Sequence, residues 1–106
     1  MLKSLSPAAV KKILDDEKNI RLIDVREEWE YKLARIENSE LMPLSNFHTH
    51  IKNLSPEEKI VLYCHHGNRS FAVGTFLMQN GFSDVINLRG GINAWSEELD
   101  SSIPQY

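Results

Sequence analysis

The stretch IVLYCHHGNRS, residues 60–70, joins an apolar run to a polar loop that holds the only cysteine of the chain, Cys64. The apolar residues 60–63 predict a buried strand, and the pattern of residues 71–80 after the loop predicts a helix. Backbone N–H groups at a helix N-terminus lack intrahelical partners and favour an anion in the preceding turn. They favour a thiolate over a thiol, as does a nearby arginine such as Arg69. The sequence therefore places its cysteine where a fold can make a thiol reactive.

The composition fits one domain over residues 1–106, with an apolar fraction of 42% and a charged fraction of 25%. The net charge of −3 gives no electrostatic case for a nucleic acid or an anionic membrane as partner. A single cysteine excludes an internal disulfide bond. No apolar run approaches the roughly 20 residues of a membrane span, and the N-terminal segment lacks the apolar core of a signal peptide. We therefore expect a cytoplasmic protein.

Strands and helices are predicted to alternate along the chain. Ser6-Pro7 predicts the start of a helix that ends near Asp16. The other helices are predicted over residues 27–36, 43–54, 71–80 and 91–99, with Trp29, Leu33, Ile36, Phe47, Ile51, Leu54, Val73, Phe76, Leu77, Ile92, Trp95 and Leu99 on their apolar faces. The strands are predicted at residues 2–5, 20–25, 40–42, 59–63 and 85–88. Because the connections are too long for hairpins, the pattern predicts an α/β fold with a five-stranded, mainly parallel sheet and helices on both faces.

Two polar stretches follow strands of this predicted sheet. Asp24-Val25-Arg26 ends one strand, and the loop of residues 64–69 follows another. Since sites in parallel α/β sheets lie at the carboxyl ends of the strands, we expect both stretches at one edge. Asp24 then has two interpretations, an ion-pair partner of Arg26 or a residue that supports the cysteine loop from behind, and we favour the second.

The loop residues predict an anion cradle around the cysteine. A free cysteine is often a buried core residue, but a core position does not require the polar, glycine-containing sequence that follows Cys64. Gly67 allows a positive φ, so that successive N–H groups can point inward as a nest for an anion. Cys64 would then be a nucleophile. Arg69 is expected to bind an incoming oxyanion, with a solvated surface arginine as the alternative.

Histidines leave two questions open. His65 and His66 are equally consistent with holding a thiolate or shuttling a proton and with shaping only the pocket entrance. Together with His48 and His50 they supply atoms that zinc could use, but His48 and His50 fall on different sides of a helix. We therefore expect no metal and no cofactor.

Three stretches together resemble the rhodanese family in its single-domain form. LIDVREEWE (residues 22–30) resembles the early motif of that family, and CHHGNRS (residues 64–70) resembles its active-site loop. GFSDV (residues 81–85) followed by LRGGINAW (residues 88–95) resembles its closing motif. The order and spacing of all three make the resemblance specific, and it covers nearly the whole chain.

This resemblance implies a sulfurtransferase. The loop cysteine of the family takes a sulfane sulfur from a donor such as thiosulfate, holds it as a persulfide and passes it to cyanide or a thiol. Carried over, Cys64 is the persulfide carrier, and backbone N–H groups from His65 to Ser70, across His66, Gly67, Asn68 and Arg69, cradle the outer sulfur. Asp24 and Arg26 would lie behind the loop. A sulfur-carrier protein is a further expected partner.

One segment departs from the family pattern. ARIENS, residues 34–39, stands where the family often has Gly-His-Ile and a following turn. Any role of that histidine is therefore absent here, and the turn geometry of the family does not carry over to this segment, whereas the cysteine loop is unaffected.

Two other functions compete with sulfur transfer. A cysteine-dependent phosphatase or arsenate reductase uses a similar cradle, but the related phosphatases have five residues between cysteine and arginine, whereas four separate Cys64 from Arg69. The shorter loop favours a single sulfur over a tetrahedral phosphate. A non-enzymatic rhodanese-like interaction module is the second alternative, although such modules commonly lack the cysteine.

Overall fold

The computed structural model describes residues 2–106 as one sheet flanked by helices. Five strands, all parallel, lie in the order β1-β5-β4-β2-β3. The strands are β1 (Lys3–Leu5), β2 (Ile20–Asp24), β3 (Glu40–Leu41), β4 (Lys59–Tyr63) and β5 (Val85–Leu88). The helices are α1 (Pro7–Asp16), α2 (Glu28–Leu33), α3 (Phe47–His50), α4 (Asn68–Gln79) and α5 (Gly91–Glu98), with 3₁₀ turns at Leu44–Asn46 and Ile51–Asn53. The α/β fold with a five-stranded sheet is confirmed.

Both faces of the sheet are covered, because alternate residues of each strand point to opposite sides. On one face, Ile60 and Leu62 of β4 pack in a core with Phe47 of α3 and with Val73 and Leu77 of α4. The other core gathers residues of α1, β4, β5 and α5, namely Val10, Val61, Tyr63, Ile86, Leu88, Ile92 and Trp95. Strands that are buried on both faces have continuous apolar sequences, and for this reason β4 could be predicted from the sequence.

The predicted start of α1 is confirmed. The hydroxyl of Ser6 accepts a hydrogen bond from the N–H of Ala9 at 3.3 Å, and Pro7 is the first helical residue. Pro7 has no N–H to leave unpaired, so it suits that position. The connection from β1 to β2 thus begins at a defined residue.

The apolar face predicted for α2 is wrong. Trp29 is 63% exposed and Leu33 is 48% exposed, whereas Glu30 is buried. Glu30 is the single buried residue of this helix. It is buried because it pairs with Arg69 of α4. The helix also ends at Leu33, short of the predicted Ile36.

Three other helices depart from prediction in their details. Leu99, predicted on the apolar face of the last helix, follows the end of α5 at Glu98 and is 37% exposed. Phe76 of α4 is 49% exposed, although it was predicted to be buried with Val73 and Leu77. The predicted helix over residues 43–54 is broken into α3 and its two flanking 3₁₀ turns. Within residues 2–106, no helix is long and apolar enough to cross a bilayer.

The topology brings the ends of β2 and β4 side by side. Asp24 is in register with Tyr63, so the residue after each strand lies at the same edge. Met42 donates its N–H to the carbonyl of Asp24 at 2.9 Å, which adds the end of β3 to this edge. The two polar stretches identified in the sequence therefore meet.

Candidate active site

Cys64 lies between β4 and α4, with its side chain buried at 1% exposure. Its Sγ accepts hydrogen bonds from the N–H of Gly67 at 3.1 Å and the N–H of Ser70 at 3.4 Å. Gly67 is the N-cap of α4 and has a φ of +105°, the left-handed conformation that favours glycine. The loop therefore turns two backbone donors toward one sulfur atom, and such donors favour negative charge there.

The first turn of α5 holds the loop from outside. The N–H of Ile92 donates to the carbonyl of Cys64 at 2.9 Å, and the N–H of Asn93 donates to the carbonyl of His65 at 3.1 Å. A Cβ at Gly91 would press on both of these carbonyl oxygens. The sequence analysis placed Gly91 only in the closing motif of residues 88–95, and the structure shows that it permits this close approach.

Asn87 of β5 contacts both residues that donate to the sulfur. Its Oδ1 accepts from the Ser70 hydroxyl at 2.5 Å, and its Nδ2 donates to the carbonyl of Gly67 at 3.3 Å. The side chains of Ser70 and Asn87 are buried, at 0% and 2% exposure. Sequence analysis missed Asn87. The signal was a single polar residue within an otherwise apolar predicted strand, because a polar side chain that becomes buried needs a hydrogen-bond partner.

Arg69 forms a two-pronged ion pair with Glu30 of α2. Its two terminal nitrogens donate to the two carboxylate oxygens at 2.7 and 2.8 Å. Burial favours the neutral acid, but the hydrogen bonds from Arg69, the backbone of Glu27 and the Tyr106 hydroxyl together outweigh it and lower the pKa of Glu30 to about 2. Glu30 is thus a carboxylate at neutral pH. The sequence analysis placed Glu30 only in the early motif of residues 22–30 and missed this pair.

Asp24 and Arg26 form a fully buried ion pair behind the loop. The Arg26 guanidinium donates to the Asp24 carboxylate at 2.7 Å, and the N–H of Arg26 donates to the same carboxylate at 2.9 Å. The same guanidinium also donates to the carbonyl of Ala34 at 2.5 Å. The ion-pair interpretation of Asp24 is therefore confirmed, and its support of the cysteine loop stays a prediction.

Tyr106 connects this buried pair to the loop. Its hydroxyl accepts from Arg26 at 2.7 Å and donates to Glu30 at 2.7 Å. The ring of Tyr106 stacks on His65 with centroids 3.9 Å apart, and Trp29 meets it edge-on at 5.9 Å. The hydrogen-bond network thus runs from Asp24 through Arg26, Tyr106 and Glu30 to Arg69, and the sequence analysis missed it.

The two histidines of the loop are part of an aromatic stack. His65 stacks between Tyr106 and His66, with 3.9 Å between the two imidazole centroids. Burial and the neighbouring His66 lower the pKa of His65, so the neutral imidazole is favoured. His66 and Asn68 are exposed, and in residues 2–106 neither histidine side chain donates a hydrogen bond to Cys64. Within the same residues, no group of three or more His, Cys, Asp or Glu side chains could hold a metal ion.

Comparison with known proteins identifies the family of the chain. The sequence model of the rhodanese-like domain matches residues 6–98. The chain belongs to the rhodanese-like domain family. A rhodanese-related protein from Thermoplasma volcanium has a crystal structure that superposes with a TM-score of 0.81 at 33% identity, over 92% of this chain and 93% of that one.

Curated relatives of the rhodanese-like chain differ in length. The rhodanese-like/PpiC domain-containing protein 12 of Arabidopsis thaliana is 39% identical over 81% of this chain, which spans only 30% of that relative. The thiosulfate sulfurtransferase GlpE of Pseudoalteromonas translucida is 29% identical over 95% of both chains. Other relatives at about 30% identity include a sulfurtransferase and a putative sulfur carrier protein. The relatives support a transferase of the rhodanese kind.

Proposed function

We propose that this rhodanese-like domain transfers a sulfane sulfur from a donor such as thiosulfate to a thiophilic acceptor through a persulfide on Cys64. The observation that carries the proposal is the pair of N–H groups, from Gly67 and Ser70, that point at the buried Sγ of Cys64. They can stabilise negative charge on that sulfur and on a sulfur bound to it. Relatives that are named as sulfurtransferases agree with this chemistry.

The proposed cycle has two displacement steps. The thiolate of Cys64 attacks the outer sulfur of thiosulfate, a sulfur–sulfur bond forms to Cys64, and sulfite leaves with the electron pair of the broken bond. An acceptor nucleophile then attacks the outer sulfur of the persulfide, and the thiolate of Cys64 leaves with the electron pair. With cyanide the product is thiocyanate, and with a thiol it is a new persulfide. Ping-pong kinetics follow from this order.

The other loop residues support these steps. Arg69 is proposed to help bind an anionic donor with the N–H donors that its pair with Glu30 leaves free. The N–H groups of the loop are proposed to cradle the outer sulfur, and the ion pair of Asp24 and Arg26 to fix the strand end behind it. His65 and His66 are assigned to the rim of the entrance. A protein persulfide acceptor, such as a sulfur-carrier protein, remains a proposed partner.

The decisive experiment is an intact-mass measurement after incubation with thiosulfate, mercaptopyruvate or glutathione persulfide. We expect a gain of one sulfur atom that dithiothreitol removes. Cys64→Ala should gain no sulfur while its circular dichroism spectrum stays that of the parent protein. If no donor produces the adduct, the chain is an interaction module instead. Hydrolysis of an aryl phosphate that depends on Cys64 would favour the phosphatase.

A further inference from the structure

A buried chain of hydrogen bonds connects β5 to the sulfur of Cys64. The hydroxyl oxygen of Ser70 lies 3.4 Å from Sγ, 3.3 Å from the carbonyl oxygen of Gly67 and 2.5 Å from Oδ1 of Asn87. A serine hydroxyl carries one proton, so it can donate to only one of these three acceptors at a time. The partner that receives this proton decides what Ser70 offers to the sulfur.

The neighbours of Asn87 fix the direction of its side-chain amide. The carbonyl of Gly67 can only accept, so the Nδ2 that lies 3.3 Å from it must be the donor. Nδ2 also lies 3.2 Å from the Ser4 hydroxyl oxygen, which can accept its second proton. Oδ1 therefore faces Ser70. Since Oδ1 cannot donate, the short 2.5 Å contact requires the Ser70 hydroxyl to donate to Asn87.

This direction has a consequence for Cys64. While Asn87 holds the Ser70 proton, the hydroxyl presents a lone pair to Sγ, and at 3.4 Å that lone pair can accept from the thiol hydrogen. This arrangement favours the thiol. A thiolate is a stronger acceptor than a neutral amide, so an anionic sulfur can draw the proton away from Asn87. Sγ and Oδ1 therefore compete for one proton, with the carbonyl of Gly67 at 3.3 Å as the third acceptor. Water does not join this competition at the hydroxyl, since Ser70 is 0% exposed.

We propose that Asn87 is a positioning residue that sets how readily Cys64 ionises, by competing with its sulfur for the single proton of the Ser70 hydroxyl. The inference rests on the proposed role of Cys64 as the nucleophile. Asn87 does not touch the reacting sulfur and acts through Ser70. The hydroxyl proton turns to Asn87 when Cys64 is a thiol and to the sulfur when Cys64 or its persulfide carries negative charge.

Alkylation of Cys64 by iodoacetamide tests this competition. The rate follows the thiolate fraction, and because the chain has one cysteine, every cysteine adduct reports on Cys64. We expect Asn87→Ala to lower the pH midpoint of the alkylation rate by about one unit, the size of one net hydrogen bond. Asn87→Leu, which fills the apolar surroundings of β5 and also lacks the acceptor, should shift the midpoint in the same direction.

Ser70→Ala supplies the background that separates this role from a merely structural one. In that background Asn87→Leu should leave the midpoint unchanged, because the hydroxyl whose proton is contested is gone. The matched control is Ser4→Ala, which removes a partner of Nδ2 but keeps the contact of Oδ1 with Ser70, and its midpoint should equal that of the parent protein. A midpoint that stays or rises in both Asn87 variants, or an equal shift with and without Ser70, overturns the inference.

The readout is independent of sulfur transfer. Alkylation needs no sulfur donor, whereas the persulfide is detected by intact mass. A downward shift in the Asn87 variants of a protein that gains no sulfur would contradict the proposed function and support the hydrogen-bond competition. If the protein forms a persulfide but its Asn87 variants have the same alkylation midpoint as the parent protein, the proposed function is supported and the competition is overturned.

Discussion

At the scale of single residues, the buried carboxylate of Glu30 forms an ion pair with Arg69 and accepts hydrogen bonds from both of its terminal nitrogens. The Glu30 pKa of about 2 is far below the usual value of 4.5 because the hydrogen bonds from Arg69, the backbone of Glu27 and Tyr106 together outweigh the effect of burial. A depressed acid pKa stabilises the folded state above the unfolded pKa, and this stability is lost as pH falls toward the folded pKa. We expect Glu30→Gln to lower the free energy of unfolding by about 2 kcal/mol at pH 7, less than the full shift implies because Arg69 is partly solvated. Urea titrations between pH 2 and pH 7 should show this difference shrinking below about pH 4.5.

Glu28 provides the matched control for Glu30 on the same helix. Its pair with Lys32 spans 3.6 Å between side chains that are 72% and 74% exposed. Exposed pairs of this kind contribute little, so Glu28→Gln should change the free energy of unfolding by less than about 0.5 kcal/mol. Equal losses in the two variants, or a Glu30→Gln loss that is constant with pH, would contradict the assignment of the stability to the pair with Arg69.

The residues that sequence alone could identify are those whose roles depend on neighbours in the chain. Cys64 and Gly67 belong to one strand–loop–helix junction, and their placement follows from backbone donors and a positive φ within six residues. Glu30 and Asn87 were missed because their partners lie 39 and 17 residues away. The local pattern around each is satisfied by another explanation, a helix dipole for Glu30 and a strand position for Asn87.

At the scale of elements, the contact between α5 and the cysteine loop depends on one glycine. Gly91→Ala would place a methyl group against the carbonyls of Cys64 and His65, which are bonded to the first turn of α5. The loop must then shift, and misplacement of a reacting atom by a fraction of an ångström is costly. We expect the rate of persulfide formation, followed by sulfite release from thiosulfate, to fall by at least about tenfold.

Gly81 allows the backbone strain to be separated from the clash. Its φ of +91° also favours glycine, but a Cβ there would meet no atom within 4 Å. Gly81→Ala should therefore cost about 1 kcal/mol of stability and leave the rate of persulfide formation unchanged. If both alanine variants lose the same rate, the loss comes from strain in the glycine turns and not from pressure on the loop.

Elements were predicted best where burial is continuous. The bounds of β4 and β5 agree with the sequence analysis, since both strands are buried on two faces. The apolar face of α2 was wrong because a helix of six residues offers too few positions for periodicity to show which side is buried. Phe76 was wrongly predicted to be buried for a related reason. Helical spacing shows which residues share a face of the helix, but it does not show how much of that face other elements cover.

At the scale of the whole molecule, segments far apart in the chain close around the cysteine. The end of β2 contributes Asp24 and Arg26, and α2 contributes Glu30. Tyr106 bonds to Arg26, 80 residues before it in the chain, and to Glu30, 76 residues before it. Alternation of strands and helices predicts that strand ends share an edge, and this part of the site was confirmed. It does not predict which side chain of the last six residues returns to that edge, because those residues lack a periodic pattern.

Tyr106 therefore ties the last segment to the site, and two substitutions separate its ring from its hydroxyl. Tyr106→Phe keeps the stack on His65 and loses the bonds to Arg26 and Glu30, so we expect a loss of about 1 kcal/mol in the free energy of unfolding. Tyr106→Ala loses the stack as well and should cost about 1 kcal/mol more.

Burial raises the pKa of Tyr106 to about 12 although Arg26 opposes the shift. The contribution of a raised tyrosine pKa is complete below the unfolded value of 10 and is lost as pH rises toward 12. Urea titrations from pH 8 to pH 11 should thus show the parent protein converging on Tyr106→Phe above pH 10. A gap between the two that stays constant over this range would mean that the hydroxyl is solvated and does not bridge the two charged residues.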